Sequence, residues 1–291
     1  MFGHRSDGVK EKNLPAFFKV IPHIMKTRSD SQVFFKQDIS ITEMDKYIDK
    51  KAKEGIKLSY MNIIFAAIVR VLAERPQLNR FIMNGRIYNR NEIYISLAIK
   101  KNMTDDGMET TIKLPFTGNE NIFEIKDILD SAINKNKQNS SQNDTDKLAF
   151  ILGLIPNFLL KFAVNFLRFL DRYGLMPKFI IKASPFHTSA FLTNVGSLGL
   201  DYIYHHLYDF GTTSLFFAMG KKKKSYIYED DEIKEEKCIS LGFVGDERIC
   251  DGFYYSSSFK LLSRYLKKPE LLERKNESQV ESENNEVAEI V

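Results

Sequence analysis

The sequence contains no tryptophan and only two cysteines, Cys238 and Cys250, in 291 residues. Two cysteines exclude a disulfide framework, and a chain of this length buries a core that needs none. Histidine is also scarce, with five in all. No His or Cys stands at ligand spacing, which argues against a structural metal site. Charge is nearly balanced: 42 Lys and Arg against 38 Asp and Glu leave a formal net charge of +4. Without a basic stripe interleaved with aromatics, nucleic acid is not an expected partner. The opening residues, MFGHRSDGVKEK, lack an apolar run and so are not a signal peptide. A cytoplasmic protein with reduced thiols is expected.

One long apolar stretch stands out, LAFILGLIPNFLLKFAVNFLRFL at residues 148–170. Its polar members Asn157, Lys161, Asn165 and Arg168 fall at spacings of four, four and three, one narrow arc of a helix. Lys161 and Arg168 speak against a spanning helix. The stretch is expected to give an amphipathic helix after Pro156, with its apolar face buried on the domain. Contact with a membrane surface stands as the alternative.

Elsewhere the pattern alternates between strand and helix signals. VFFKQDISI (33–41), IYISLAIKK (93–101) and ETTIKLPF (109–116) read as strands. So do SAFLTNV and TTSLFFAMG, and the segment 224–244 reads as strand, acidic turn and strand. Residues 58–79 read as a helix capped by Ser59, with Pro76 near its end. Asn84-Gly85 marks a hairpin turn. Residues 121–135 form an amphipathic helix with Ile122, Ile125, Leu129 and Ile133 on one face. DGFYYSSSFKLLSRYL is a helix that Asp251 can cap. This order predicts an α+β fold, a two-layer sandwich of a mixed β-sheet with helices packed on it. One domain is expected over residues 1–270, with a polar insert at 137–147, the apolar helix at 148–170, and a disordered acidic tail at 271–291.

Three separated segments carry a resemblance. IKLSYMNIIFAAIVRVLAERPQLN, SAFLTNVGSLG and GDERICDG resemble, in order and approximate spacing, three signatures of the acyltransferase catalytic domain of 2-oxoacid dehydrogenase complexes. That family shares its fold with chloramphenicol acetyltransferase, and the similarity covers roughly residues 20–268. It implies a homotrimer with sites between subunits, where coenzyme A and an acyl acceptor or donor meet. Coenzyme A or acyl-CoA would be a substrate, with no cofactor bound. The core starts almost at Met1, so the lipoyl and subunit-binding domains of larger relatives are expected to be absent, and any lipoyl partner would be another chain.

The resemblance assigns site residues one by one. Glu247 stands where the family has its histidine base. An ordinary glutamate, with a pKa of about 4.3, is a weak base towards a thiol, although apolar burial raises it. Glu247 is therefore either a working base or a surface glutamate, with Arg248 a candidate ion-pair partner, at a silent site that binds acyl-CoA or serves as a trimeric scaffold. Asp251 matches the family aspartate that pairs with an arginine, and Arg28 is a candidate partner. Thr193 aligns with a serine whose hydroxyl stabilises the oxyanion. Cys250 reads as a small buried residue rather than a nucleophile. His187, His205 and His206 are candidates to replace the lost base. The run KKKK at 221–224 is a solvated strand end, or a site for coenzyme A phosphates or anionic headgroups.

Overall fold

In the computed structural model, residues 4–101, 109–137, 143–229 and 231–276 are described. β1 (Gly8–Lys10) and α1 (Ala16–Ile24) lead to β2 (Gln32–Ser40), the strand read from VFFKQDISI. After α2 (Thr42–Lys53) comes α3 (Tyr60–Glu74), the helix read from residues 58–79. Ser59 caps α3 as expected. Its side chain accepts from Asn62 N at 3.2 Å while Asn62 Oδ1 accepts from Ser59 N at 2.9 Å. This reciprocal cap stabilises the helix by about 1 kcal/mol. The helix stops at Glu74 because a residue before proline disfavours the α region, and Pro76–Asn79 forms a separate 3-10 turn.

β3 (Arg80–Met83) and β4 (Arg86–Arg90) make the expected hairpin. Asn84 and Gly85 both take positive φ, 52° and 68°, as its tight turn requires. A Cβ on Gly85 would also strike the His23 ring of α1. Then follow β5 (Ile93–Lys100), β6 (Glu109–Phe116), α4 (Ile122–Lys137), α5 (Asp144–Gly153), α6 (Asn157–Arg172) and α7 (Lys178–Ala183). The chain closes with β7 (Ala190–Asn194), β8 (Leu215–Glu229), β9 (Glu232–Asp246) and α8 (Gly252–Lys267).

The strands form a six-stranded sheet ordered β2-β9-β8-β7-β5-β6 and a small sheet β1-β4-β3. β7 runs parallel to β5 and β8, while the other pairings of the large sheet are antiparallel. This is the mixed sheet of the predicted α+β sandwich. Strand alternation divides its residues between two faces. Ala190, Leu192, Phe217, Leu241 and Phe243 join the main core with α3, α4 and α8. Phe191, Phe216 and Val244 face the other way, under Leu207, Phe186 and Tyr208. The segment crossing that second face lies so close that a Cβ on Gly242 would meet the carbonyl oxygen of Ile203.

Two expectations are corrected. The stretch 148–170 is not one helix: α5 ends at Gly153, and Pro156 caps a new helix, α6. Nor is its apolar face wholly buried in the single chain, since Phe158, Phe162 and Phe166 are 74%, 69% and 49% exposed. Its sequence is apolar over a wider arc than the domain covers. Among the described residues, no helix is long and apolar enough to cross a membrane. The disordered tail expected from residue 271 also fails at its start. Pro269–Glu273 forms a 3-10 turn, Leu272 is buried, and Glu273 bridges Lys51 at 3.0 Å. Residues 277–291, and 138–142 of the polar insert, lie outside the described residues.

Candidate functional site

The segment from Asp246 to Gly252 joins β9 to α8 as a tightly held loop. Asp246 is fully buried, and its Oδ1 accepts from Ser31 Oγ at 3.0 Å and from Arg248 Nε at 2.8 Å. Its Oδ2 accepts from Arg248 Nη2 at 2.7 Å, completing a two-pronged ion pair. Arg248 also donates to Met25 O at 2.9 Å, and Glu247 N donates to Ser31 O at 2.9 Å. The loop is thereby locked to the chain that enters β2. The side chain left over is Glu247, which is exposed.

Glu247 stands at a cleft of about 900 Å³ between the edge strand β2 and α8. Val33, Phe35, Tyr255 and Phe259 supply apolar walls. Lys260, Arg264, Lys267 and Lys268 line it from the α8 side, at spacings that place Lys260, Arg264 and Lys267 on one helix flank. Individually these lysines and arginines read as a solvated helix face. Only the packing of β2 against α8 turns them into a cleft wall.

Asp251 is not paired as expected. It is exposed, and its Oδ1 accepts from Tyr254 N at 2.8 Å as the N-cap of α8. The acid–arginine pair of this loop is Asp246 with Arg248 instead. Arg28, the candidate partner, is buried and donates to the carbonyl oxygens of Ile82 at 3.1 Å and Tyr208 at 3.3 Å. Burial pulls its pKa down to about 10.

Thr193 lies on β7, half-buried, on the sheet face away from the core helices. Its register neighbours are Ala98 and Ala218, and Ala218 pairs with Gly242. Glu247 lies five residues past Gly242, just beyond the end of the antiparallel β9. At about 3.3 Å per residue and 4.8 Å per strand, the two sites are about 19 Å apart within one chain. One chain therefore does not bring Thr193 to Glu247.

The other candidates separate clearly. Cys250 is fully buried, and burial pushes its thiol up to about 12, which removes it as a nucleophile. His205 stacks on Phe216 at 4.1 Å, which places it on the Thr193 face of the sheet, and its stacking partner His206 is 4.7 Å away. Burial lowers the pKa of His205. Lys222, Lys223 and Lys224 are engaged by the Tyr60 ring at 4.1 Å, Asp201 at 2.6 Å and Glu235 at 2.9 Å. Among the described residues, no group of three His, Cys, Asp or Glu is placed to hold a metal ion.

His187 belongs to a buried network that the sequence pattern does not announce. Its Nδ1 lies 2.8 Å from Ser184 Oγ and its Nε2 lies 3.2 Å from Asp171 Oδ2. Arg5 reaches Asp171 at 2.8 Å and Asp7 at 2.8 Å, and Asp7 also faces Arg90 at 3.8 Å. Burial works against ionised Asp171, yet the partners Arg5 and His187 prevail and hold its pKa at about 2. His187 is depressed chiefly by burial. The residues come from distant parts of the chain, so no local spacing signals the cluster.

A scan of protein-family profiles finds no match for this sequence, and a search of curated proteins finds none either. Solved structures do resemble it. A probable dihydrolipoamide acetyltransferase from Listeria monocytogenes matches with a TM-score of 0.57 at 16% identity, over 89% of this chain and 95% of the other. A truncated catalytic core of the 2-oxoacid dehydrogenase multienzyme complex from Thermoplasma acidophilum matches at 0.56 and 13% identity, over 90% and 99%. A chloramphenicol acetyltransferase matches at 0.51 and 13% identity, over 89% and 100%. The fold is thus the one shared by these acyltransferases, as the three sequence segments implied.

Proposed function

We propose that the protein binds a coenzyme A thioester and transfers its acyl group to an acceptor, at sites completed between the subunits of a homotrimer. The observation that carries this reading is Glu247, held by the Asp246–Arg248 loop at the cleft between β2 and α8. The apolar walls suit a thioester arm, and the basic wall suits phosphates. In the reaction, the acceptor thiol or hydroxyl gives its proton to Glu247 and its oxygen or sulfur bonds to the thioester carbonyl carbon. The carbonyl oxygen takes the negative charge and accepts a hydrogen bond from Thr193 of the adjoining subunit. The carbon–sulfur bond then breaks, and the departing coenzyme A sulfur takes the proton back from Glu247.

A second reading follows from the exposure of Glu247. Apolar burial suited to a base would have to come from the adjoining subunit. Without it the cleft binds acyl-CoA and does no chemistry. Thiol release from a panel of acyl-CoAs, measured beside direct binding of coenzyme A, separates the two. Under the first reading Glu247→Gln keeps binding and lowers turnover by about 10² to 10⁴-fold. Under the second, wild type binds without turnover, and Glu247→His restores some. Turnover unchanged by Glu247→Gln would defeat the assignment of the base and direct attention to His205. A separate lipoyl-bearing chain as acceptor belongs to the first reading and would be tested by adding lipoyl domain to the same assay.

A further inference from the structure

The helix α6 carries three distinct faces. At about 100° per residue, Leu160, Ala163, Val164, Leu167, Leu170 and Asp171 occupy one sector and turn towards the domain. All six are buried or half-buried. Lys161, Asn165, Arg168 and Arg172 form a second sector, exposed and basic. Between these lies a ridge of Phe158, Leu159, Phe162, Phe166 and Phe169, each 45% exposed or more. Around it stand Phe150, Ile151 and Leu154 at the end of α5 and Phe179 on α7, all at least 60% exposed. Single exposed apolar residues are ordinary on a protein surface; a ridge of neighbouring phenylalanines is not.

The charge around the ridge is one-sided. From Asp144, where α5 begins, to Ala183 the chain has six basic residues and three acidic ones, Asp144, Asp146 and Asp171. Asp146 and Asp171 are drawn inward, to Thr110 at 2.6 Å and to Arg5 at 2.8 Å, and Asp144 stands at the start of α5 beside Lys147 at 3.8 Å. Arg168 and Arg172 continue the basic row into a cavity of about 580 Å³, where His23 of α1 and Lys26 join them and Asp171 and Asp209 also line the wall.

We propose that the α5–α6 face docks on a lipid bilayer bearing anionic headgroups, with the phenylalanine ridge at the acyl boundary and the basic row among the phosphates. A helix with an aromatic ridge beside a cationic row is the arrangement that lies in a membrane interface. This inference is independent of the acyl-transfer reading.

Co-flotation of the full chain with vesicles tests it. Phosphatidylcholine vesicles containing about one-third phosphatidylglycerol should carry the protein, whereas pure phosphatidylcholine should not, and added salt should weaken binding. The pair Phe162→Ser and Phe166→Ser should reduce the bound fraction about tenfold or more, as should Lys161→Glu with Arg168→Glu. Circular dichroism and thermal unfolding should match wild type for these variants, because the substituted positions are exposed. Absence of flotation, or flotation that both variants retain, overturns the proposal. So does loss of oligomeric order in the phenylalanine variant without flotation of wild type, which would make the ridge a subunit contact.

Discussion

Asp246, Arg248 and Asp251 lie within one turn of loop and do different work. Asp246 and Arg248 are both buried and held by each other, so removing one strands the other in a poorly solvating site. Arg248→Met is expected to destabilise the protein by about 3–5 kcal/mol, read as a fall in the denaturant midpoint. Asp251 is exposed and caps a helix. Asp251→Ala should cost about 1 kcal/mol, and Asp251→Ser should recover most of it. A loss for Asp251→Ser as large as that for Arg248→Met would mean that Asp251 has an ionic partner after all. The capping role was legible in the sequence, because an aspartate before a helical pattern has a local reason to be there. The ion pair was not, because it depends on how the loop turns back on Ser31 and Met25.

At the scale of elements, the attachment of α6 decides behaviour in acid. Asp171 points from α6 into the protein, where Arg5, His187 and, through Arg5, Asp7 meet it. Its folded pKa of about 2 lies below the ordinary 3.8. A depressed carboxylate contributes stability that is complete above its unfolded pKa and is lost as pH falls through the folded one. His187 is depressed as well. Below about pH 6.5 the unfolded chain takes up that proton more readily than the folded one. Stability should therefore decline on acidification in two stages, the first below neutrality and the second from about pH 4 towards pH 2. Urea unfolding as a function of pH should show both stages, and Asp171→Asn should flatten the second. The amphipathic character of α6 was legible from its polar spacings. The extent of its burial was not, because periodicity reports that a face is apolar and does not report what covers it.

For the whole molecule, three short segments in the right order foretold the sheet and the helices on it. The helices α5, α6 and α7, by contrast, have no counterpart among those segments, and residues that meet only in space stayed hidden. The cleft at Glu247 is such a case, since its basic wall needs β2 against α8. The resemblance implies a homotrimer, and Thr193 and Glu247, at different ends of the sheet within one chain, would then meet only across a subunit junction. Light scattering at micromolar concentration should give three times the mass of the 33.7 kDa chain. A stable monomer would remove the shared site from consideration.

The separation of about 19 Å between Glu247 and Thr193 along the sheet has a genetic consequence. Two defective alleles should rescue each other. Under the proposed shared site, Glu247→Gln homotrimers would lack the base at every junction, and Thr193→Val homotrimers would lack the hydroxyl at every junction. In a ring assembled from both, each mixed trimer has one junction where an intact Glu247 faces an intact Thr193. Equal mixing before assembly should restore about a quarter of wild-type turnover, from two preparations that are each inactive. Mixing after assembly should restore nothing until subunits exchange, so the rate of recovery would time the opening of the ring.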